Sequence, residues 1–428
     1  MKIHILGICG TFMGGLAKIL TECEHHVSGS DLNFYEPMNS QLGALKIDLI
    51  KGYEELPDAD LYVIGNALSR GNPSVEKILE ENLDYISGPE MLGKIIKSKK
   101  VIAVSGTHGK TTVSAMTASI LQSKYGDVGY LIGGVLEDGS WSARLGSNEY
   151  FIVEADEYDS AFFDKRSKFI HYFPNILAIN NIEFDHADIF DDLQQILKQF
   201  SHLLRTIPAN GRVVFHENDK TTKQLIDEEN WYDVYSIGEE EQSYYDEIKN
   251  LFIFDGKNYD LDELPFFGEH NYKNALMSMC LAYLCDVTYE ESFQALKNFS
   301  GVKRRLELIF QGNTHLVYDD FAHHPTAIEA VSRAIKSKYA SKMLGIIELA
   351  SNTMKSGRHG DALIDCTRHF DKIYFLDHKK KLNITNSFNS LEKIIDDLKK
   401  VIGDYETIII MTNKDSQMIS REIIKLCN

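Results

Sequence analysis

A glycine-rich stretch with a lysine and two threonines has the clearest chemistry in the sequence. It spans Ser105–Thr112 and reads Ser-Gly-Thr-His-Gly-Lys-Thr-Thr. Glycines let backbone N–H groups approach phosphate oxygens, a lysine adds positive charge, and a threonine hydroxyl is a ligand for Mg²⁺. The usual phosphate loop has four residues between its glycines, whereas Gly106 and Gly109 are two residues apart. The stretch predicts a nucleotide-phosphate site with a short loop.

Two other strand ends carry groups that bind metal ions. The apolar run Phe151–Val153 is followed by Glu154, and the run Ile176–Ile179 leads to His186. Mg²⁺ takes few protein ligands and completes its shell with phosphate and water oxygens, so Thr111, Glu154 and His186 are the predicted metal ligands. A solvent-exposed carboxylate is the alternative for Glu154, and a structural histidine for His186. The next acidic residues are interpreted as exposed loop charges or helix caps: Asp156, Glu157 and Asp159.

The elements around the phosphate loop are a strand and a helix. Val101–Val104 is a short apolar run, as in a buried parallel strand, and a helix is predicted over Val113–Leu121. In this arrangement the helix amino terminus faces the phosphates. An ordinary strand-to-helix turn is the alternative, but it leaves the Lys-Thr-Thr sequence unexplained.

A second glycine turn lies near the amino terminus. Strands are predicted over Lys2–Leu6 and His26–Ser28, with a helix from Leu16 to Thr21 between them and Asp31 after the second strand. This order is typical of dinucleotide-binding domains, but Cys9 stands at the second glycine position of their fingerprint. A plain strand-to-helix turn is an almost equally good interpretation.

Two asparagines lie three residues apart in a predicted helix over Asn271–Leu284. Asn271 and Asn274 therefore share a helix face, and their amides can recognise an adenine edge. A helix N-cap plus a surface asparagine is the alternative, and spacing alone favours it.

Basic and mixed polar runs follow towards the carboxyl terminus. Lys303–Arg305 can hold a transferring phosphoryl group or form a basic hinge. Tyr318–Pro325 brings acidic and imidazole groups together after a predicted strand, and such a cluster indicates function. Lys355 follows the next strand and can hold a carboxylate, with a solvent-exposed lysine as the alternative.

The chain as a whole is predicted to be an α/β protein of three domains. Its 428 residues are too many for one hydrophobic core. We expect domains over residues 1–98, 99–300 and 301–428, with a flexible linker over Lys94–Lys100. Small strands are expected at Leu251–Phe254 and Tyr259. A third, smaller parallel sheet is predicted from four apolar runs: Leu316–Tyr318, Leu344–Ile347, Ile373–Leu376 and Thr407–Met411.

Composition argues against several classes of partner. The net charge is −18, and no basic stripe interrupts the excess of acidic residues, which argues against nucleic acid. The six cysteines form no Cys-x-x-Cys pair or zinc-site spacing, so we interpret them as thiols of a protein in a reducing compartment. No apolar run reaches membrane-spanning length and no leader is recognisable, so we expect a cytoplasmic protein without a membrane partner.

Taken in order, these motifs resemble the Mur ligase family of ATP-dependent ligases of peptidoglycan synthesis. The resemblance runs from about residue 3 to about residue 360 and rests on six stretches: Ser105–Thr112, Glu154–Glu157, Asn181–His186, His270-Asn271, Gly301–Arg305 and Asp320–Pro325. It implies a Rossmann-like UDP-binding domain, a central P-loop ATPase-type sheet and a C-terminal Rossmann-like ligase domain. ATP and Mg²⁺ are the implied cofactors.

Four stretches are similar to the branch of the family that adds a recycled tripeptide: His4–Gly15, Gly65–Pro73, Glu157–Lys168 and Ser351–Lys355. That likeness implies joining L-alanyl-γ-D-glutamyl-meso-diaminopimelate to UDP-N-acetylmuramate through an acyl phosphate. Two alternatives stay open: an L-alanine ligase, and a precursor-binding protein that has lost ligation. Ala350 stands where the family has an arginine, and the C-terminal segment is short. We expect a monomer or a weak homo-oligomer.

The resemblance also implies roles for individual residues. The catalytic residues are Lys110, His186 and Arg305. The ATP-binding residues are Gly106, Thr107, His108, Gly109, Lys110, Thr111, Thr112, His270, Asn271, Asn274 and Asp320. The UDP-binding residues are Gly10, Thr11, Phe12, Met13, Gly14, Ser30, Asp31 and Ser69. The peptide-binding residues are His323, His324, Asn352 and Lys355.

Overall fold

The structure is a computed structural model that describes residues 1–34, 38–185, 189–229, 231–239, 243–349, 360–378 and 385–428. The chain forms two compact units. The first consists of Met1–Glu183, Leu193–Pro265 and Asn274–Ser300. The second consists of Phe184–Asp192, Phe266–Lys273 and Gly301–Asn428.

The first unit begins with a parallel five-stranded sheet in the order β3-β2-β1-β4-β5. Its strands are β1 (Lys2–Leu6), β2 (His26–Asp31), β3 (Asp48–Lys51), β4 (Leu61–Ile64) and β5 (Tyr85–Ser87). Its helices are α1 (Thr11–Glu22), α2 (Met38–Ala44), α3 (Pro73–Glu80) and α4 (Gly88–Ile96). The strand order reverses at β1, and in open α/β sheets ligands bind outside the carboxyl ends of the strands at such a reversal.

Two local predictions for this region are wrong. The first helix begins at Thr11, five residues before the predicted start at Leu16. The predicted linker is also mostly structured, because Lys94 lies within α4 and the next strand begins at Lys100. In α4, Leu92 and Ile96 are fully buried while the Lys94 side chain is 64% exposed. Lys94 lies on the solvent face of an amphipathic helix, which composition alone does not distinguish from a linker.

A seven-stranded sheet follows in the same unit, in the order β12-β11-β10-β6-β9-β7-β8. It is parallel except for the β7–β8 pair. Its strands are β6 (Lys100–Ser105), β7 (Gly129–Leu131), β8 (Ala143–Arg144), β9 (Tyr150–Glu154), β10 (Ile176–Ile179), β11 (Arg212–His216) and β12 (Asp233–Ile237). The helices around it are α5 (Lys110–Tyr125), α6 (Leu193–Leu204) and α7 (Lys220–Glu228), with a 3-10 turn over Lys168–His171. Strand β6 lies between β9 and β10, so three carboxyl ends meet at one edge.

A small antiparallel sheet and two helices complete this part of the chain. The two predicted small strands are confirmed as β14 (Leu251–Phe254) and β15 (Lys257–Asp260), and a strand that was not predicted, β13 (Ser243–Asp246), pairs with β14. The helices that follow are α8 (Glu269–Tyr283) and α9 (Tyr289–Leu296).

The second unit contains a six-stranded sheet in the order β16-β17-β21-β18-β19-β20. Its strands are β16 (Glu307–Gln311), β17 (Leu316–Asp320), β18 (Met343–Glu348), β19 (Lys372–Leu376), β20 (Ser387–Phe388) and β21 (Thr407–Met411). Its helices are α10 (Pro325–Lys338), α11 (Gly360–Asp365), α12 (Leu391–Leu398) and α13 (Gln417–Cys427). The four predicted strands are confirmed, whereas β16 is an antiparallel edge strand that was not predicted.

Helices cover both faces of this sheet. On β21, Ile409 and Met411 belong to one apolar cluster, and Ile408 and Ile410 belong to another. Successive strand side chains point to opposite faces, so an uninterrupted apolar strand needs cover on both sides. Among the described residues, no helix has the length and apolarity needed to cross a membrane.

Candidate active site

The phosphate loop depends on glycine at both of its glycine positions. Gly106 has φ +128° and Gly109 has φ +83°, in the region that side chains with a Cβ rarely adopt. A Cβ at Gly109 would also overlap the amides of Asn180 and Asn274. The loop can therefore pass close to its neighbours only because these two residues lack side chains.

Two asparagines after β10 hold the loop backbone. The Asn181 carbonyl accepts from Thr107 N at 2.9 Å, and Asn181 Oδ1 accepts from His108 N at 2.8 Å. Asn180 Nδ2 donates to His108 O at 2.9 Å and to Asn274 Oδ1 at 3.1 Å. Sequence reasoning assigned Asn180 no role, although its place directly after a buried strand could have indicated one.

The Lys110 ammonium is surrounded by carboxylates. Its Nζ lies 3.0 Å from Glu157 Oε2 and 3.6 Å from Asp156 Oδ1, and it donates to Gly106 O at 2.7 Å. Burial by itself would lower the pKa of Lys110, but the carboxylates of Glu157, Asp156 and Glu154 outweigh burial and raise that pKa above its ordinary value. Lys110 is therefore a permanent positive charge.

The expectation of exposed charges or helix caps at residues 156, 157 and 159 is wrong for Glu157. Its side chain is only 2% exposed, whereas Asp156 and Asp159 are partly exposed and pair with Lys168 at 2.9 Å and Lys165 at 2.8 Å. Residues 155–168 turn back on themselves, and Lys168 N donates to Tyr158 O. This turn brings later lysines onto earlier acidic residues, which spacing alone does not reveal.

Two of the three predicted metal ligands are adjacent. Thr111 Oγ1 donates to Glu154 Oε1 at 3.1 Å, and Glu154 Oε2 accepts from Gly133 N at 2.7 Å. A hydroxyl and a carboxylate are hard oxygen donors of the kind that Mg²⁺ prefers. The third ligand, His186, lies outside the described residues.

The turn after β1 is tied to the end of β2. The Ser30 carbonyl accepts from Gly7 N at 2.8 Å and from Ile8 N at 3.3 Å, and Asp31 Oδ2 accepts from Cys9 N at 2.9 Å. Asp31 therefore fixes the turn that was predicted to hold UDP.

The other predicted UDP residues lie at the start of α1 and in the loop after β4. Gly10 is the N-cap of α1 and has no side-chain cap, so the first N–H groups of the helix lack an intrahelical partner. Thr11, Phe12, Met13 and Gly14 form its first turn. The Ser69 hydroxyl lies 3.5 Å from Arg70 O within its own loop.

The predicted adenine residues lie in α8, and the N-cap interpretation of Asn271 is wrong. The helix begins at Glu269, and Asn271 is buried and donates from Nδ2 to Phe267 O at 3.0 Å. Asn274 is buried as well, rather than on the surface. Burial, reinforced by Arg333, lowers the pKa of His270 to about 4, so this imidazole is neutral.

In the second unit, Asp320 at the end of β17 is buried, and each of its carboxylate oxygens accepts a backbone hydrogen bond. Its Oδ2 accepts from Leu306 N at 2.6 Å, and its Oδ1 accepts from Ala322 N at 2.7 Å. Burial raises the pKa of Asp320 to about 6, although the Arg305 guanidinium opposes this shift. That guanidinium lies 5.0 Å from the centre of the Phe321 ring, a cation–π distance.

Two further buried carboxylates lie at the carboxyl ends of strands in this unit: Glu348 in β18, to which sequence reasoning assigned no role, and Asp319 in β17, which belongs to the predicted Tyr318–Pro325 cluster. Glu348 Oε2 accepts from Thr412 Oγ1 at 2.6 Å, and Glu348 Oε1 lies 3.1 Å from His378 Nε2. Asp319 accepts from Ser416 Oγ, and burial raises the pKa of Asp319. Glu348 directly follows the predicted strand Leu344–Ile347, a signal that could have indicated a role for it.

The predicted peptide residues are described only in part. His323 Nδ1 lies 3.0 Å from Phe321 O, and His324 is buried at the start of α10. Asn352, Lys355 and Ala350 lie outside the described residues.

Three domain families match successive parts of the chain. The Mur ligase family catalytic domain matches residues 2–100, the Mur ligase middle domain matches residues 104–282, and the glutamate ligase domain of Mur ligases matches residues 304–421. The chain belongs to the Mur ligase family. This membership confirms the predicted three-domain α/β fold class and the ligase class of enzyme. The domain boundaries at 98/99 and 300/301 stay predictions.

Individual Mur ligases are similar over most of their length. The chain is 44% identical over 387 residues to the UDP-N-acetylmuramate–L-alanyl-γ-D-glutamyl-meso-2,6-diaminoheptandioate ligase of Escherichia coli, covering 88% of this chain and 85% of that protein. It is 34% identical over 357 residues to the UDP-N-acetylmuramate–L-alanine ligase of Clostridium botulinum strain Loch Maree, covering 81% of this chain and 76% of that protein. A murein peptide ligase structure from Psychrobacter arcticus superposes with a TM-score of 0.77 at 36% identity, covering 100% of this chain and 99% of that one.

Proposed function

We propose that this Mur ligase joins L-alanyl-γ-D-glutamyl-meso-diaminopimelate to UDP-N-acetylmuramate and converts ATP to ADP and phosphate. The observation that carries the proposal is the difference in identity between two kinds of relative. It is 44% to the tripeptide ligase and 34% to the L-alanine ligase. The tripeptide and UDP-N-acetylmuramate are accordingly the proposed substrates.

The reaction brings two anions together before an amide forms. A lactyl carboxylate oxygen of UDP-N-acetylmuramate attacks the γ-phosphorus of ATP, and the bond from that phosphorus to the ADP oxygen breaks. The tripeptide amine then attacks the acyl carbon, loses a proton and expels phosphate. Fixed positive charge is needed where the anions meet.

Lys110 is the central cation of this proposal. Its carboxylate surroundings keep it charged, and it lies at the amino terminus of α5, where helix N–H groups favour phosphate. Thr111 and Glu154, with His186 as the third predicted ligand, would hold Mg²⁺, which neutralises phosphate charge. Arg305 is the proposed second cation.

The remaining residues are assigned to substrate binding. Residues 10–14 with Ser30, Asp31 and Ser69 would hold the uridine nucleotide. His270, Asn271 and Asn274 would surround adenine, and Asp320 would accept from the ribose. The proposed peptide contacts are His323, His324, Asn352 and Lys355.

We also propose a cytoplasmic location for the enzyme. None of its six cysteines, all within the described residues, forms a disulfide, as expected in a reducing compartment.

A product-mass assay tests the proposed reaction. The protein is incubated with UDP-N-acetylmuramate, ATP, Mg²⁺ and a panel of amines that includes the tripeptide and L-alanine. We expect the mass of the tripeptide conjugate and one ADP per product. A dominant L-alanine product would instead support the second candidate, the L-alanine ligase. Binding of UDP-N-acetylmuramate without any product would support a protein that has lost ligation.

A further inference from the structure

A short hairpin connects the phosphate loop region with the first sheet of the same unit. It spans residues 155–168, between β9 and the 3-10 turn, and we call it the bridge hairpin. Ser160 N donates to Arg166 O at 3.0 Å, and Lys168 N donates to Tyr158 O at 2.8 Å. These cross-hairpin bonds close the segment on itself.

Ion pairs stiffen the hairpin further. Arg166 donates from Nε and Nη2 to the two carboxylate oxygens of Asp164 at 2.9 and 2.8 Å. Asp164 Oδ2 also lies 2.9 Å from His171 Nε2, and the Asp164 side chain is only 10% exposed. The Arg166 side chain is itself 61% exposed, but a bidentate pair adds geometric specificity as well as energy. Asp164 therefore ties the turn both to Arg166 and to His171.

The base of the bridge hairpin contacts the phosphate loop. Glu157 Oε2 accepts from Lys110 Nζ at 3.0 Å, and Glu154, immediately before the hairpin, accepts from Thr111. The Lys110 side chain is buried here. The position of the base is thus fixed relative to the groups proposed to hold the ATP phosphates.

The tip of the bridge hairpin packs on the first sheet. Phe162 and Phe163 lie against an apolar cluster of that domain, which consists of Leu6, Tyr53, Tyr62, Ile64, Val75 and Ile78. The Phe163 ring lies edge-on to Tyr85, with 4.8 Å between ring centres and an interplanar angle of 80°. Phe162 and Phe163 also contact each other edge-to-face at 5.1 Å.

The same cluster supports the loops proposed to bind the uridine nucleotide. Leu6 is the last residue of β1, directly before the turn that begins at Gly7. Leu68 packs against the cluster and directly precedes Ser69. Displacing the phenylalanines would therefore displace both loops relative to Lys110.

We propose that Phe162 and Phe163 are positioning residues that fix the distance between the UDP-N-acetylmuramate carboxylate and the ATP phosphates. The inference rests on the proposed function. The carboxylate and the ATP phosphates repel each other, so neither substrate draws the other into position. The protein must therefore set the distance between them. Reacting atoms must be about 3–3.5 Å apart, and a misplacement of about 1 Å can cost about 10²-fold in rate.

The double variant F162A/F163A tests the proposal. We expect kcat for tripeptide-dependent ADP formation to fall about 10- to 100-fold. The dissociation constants for ATP and for UDP-N-acetylmuramate, each titrated alone, should change less than about threefold, because each site is built mainly within its own sheet. A role confined to the stability of the first domain would instead weaken binding of UDP-N-acetylmuramate and leave kcat at saturation unchanged.

Three further variants complete the test. F173A removes the same side chain from a site that is 63% exposed and should leave kcat unchanged. F162L/F163L should recover most of the rate, because leucine restores the apolar contact. Y85A removes the partner of Phe163 from a partly exposed position and should lower kcat less than the double variant does. Because Tyr85 is partly exposed, Y85A still tests the proposal if F162A/F163A fails to fold. A wild-type kcat in Y85A and F162A/F163A, or a loss of UDP-N-acetylmuramate binding alone, would overturn the proposal.

The result also separates this proposal from the function it rests on. If the wild-type protein forms no product from UDP-N-acetylmuramate, the proposed function fails. If the wild type is active and the bridge variants equal it, only the positioning role fails.

Discussion

The carboxyl edges of the central sheet and of the C-terminal sheet hold buried charge in different ways. At the central edge the Lys110 ammonium lies among the carboxylates of Asp156 and Glu157, the latter 47 residues away in the chain, and Asp156 also pairs with Lys168. At the C-terminal edge the carboxylates of Asp319 and Glu348 depend on hydroxyls 97 and 64 residues away in the chain. At both edges the partners come from distant parts of the chain, so neither edge exists before its sheet has formed. The edges differ in the partner, which is the Lys110 ammonium at one and the hydroxyls of Ser416 and Thr412 at the other.

The two edges also differ in how they respond to pH. Carboxylates raise the pKa of Lys110 despite its burial, so the central edge keeps its charge. Burial raises the pKa of Asp319, and raises the pKa of Asp320 to about 6, so the C-terminal edge gains protons in mildly acidic solution. Of these two edges, we therefore expect only the C-terminal edge to change its charge in mildly acidic solution.

The largest expected effect is the loss of the central cation. K110A should reduce tripeptide-dependent ADP formation by at least about 10²- to 10³-fold, because the charge developing on the γ-phosphate loses its fixed partner. ADP release at saturating substrates measures it. K124A is the matched control, since Lys124 lies on the same helix and pairs with Glu291 at 2.5 Å on the surface. Substantial ADP formation by K110A would contradict the role of the loop.

The next effect tests the long-range pairing of the C-terminal edge. T412V removes the hydroxyl that donates to buried Glu348, and we expect a loss of about 1–3 kcal/mol in unfolding free energy. Urea unfolding followed by circular dichroism measures the change. T367V removes a hydroxyl whose hydrogen bond to Ile364 O is exposed, and should cost less. Equal losses of unfolding free energy in T412V and T367V would show that the buried hydrogen bond to Glu348 stabilises the protein no more than an exposed one.

Sequence reasoning succeeded where the structure is local. Val101–Val104 and the glycines after it gave a strand, a loop and a helix, because burial and backbone geometry act within a few residues. It failed at the start of α1, where Gly14 and Gly15 are poor helix formers. They are helical because the helix packs closely: a Cβ on Gly15 would lie 3.0 Å from the Cβ of Ala143.

The candidate site shows the same limit. Lys110, Thr111 and Glu154 follow from short motifs, and the structure brings them together. The burial of Glu157 depends on Lys110, 47 residues earlier, so no local pattern reveals it. The Glu348–Thr412 pair likewise joins two strand ends that only the sheet order makes neighbours.

A smaller effect concerns pH. Above pH 6 Asp320 is ionised and can accept from a ribose hydroxyl, and below pH 6 it is protonated. We therefore expect the KM for ATP to rise up to about tenfold per pH unit as the pH falls below 6. Initial rates between pH 5 and 7.5 measure this rise. D320N should have a higher KM for ATP that does not depend on pH. If the KM of D320N rises with falling pH as steeply as that of the wild type, Asp320 is not the titrating group.

The smallest expected effects are those of exposed ion pairs in the two regions. K124A, on α5 beside the central sheet, removes a surface pair with Glu291. R368A, in the turn between α11 and β19, removes a surface pair with Glu329. Each should change the unfolding free energy by less than about 1 kcal/mol. Urea unfolding of both variants checks this. A large loss in only one would mean that the regions differ in surface charge as well as in buried charge.

The most direct test of the proposed function is a competition between amines. The protein is given UDP-N-acetylmuramate, ATP and Mg²⁺ with equal concentrations of the tripeptide and L-alanine, and the two conjugates are quantified by mass. The account predicts that the tripeptide conjugate dominates and that K110A forms neither product. A dominant L-alanine conjugate would contradict the account.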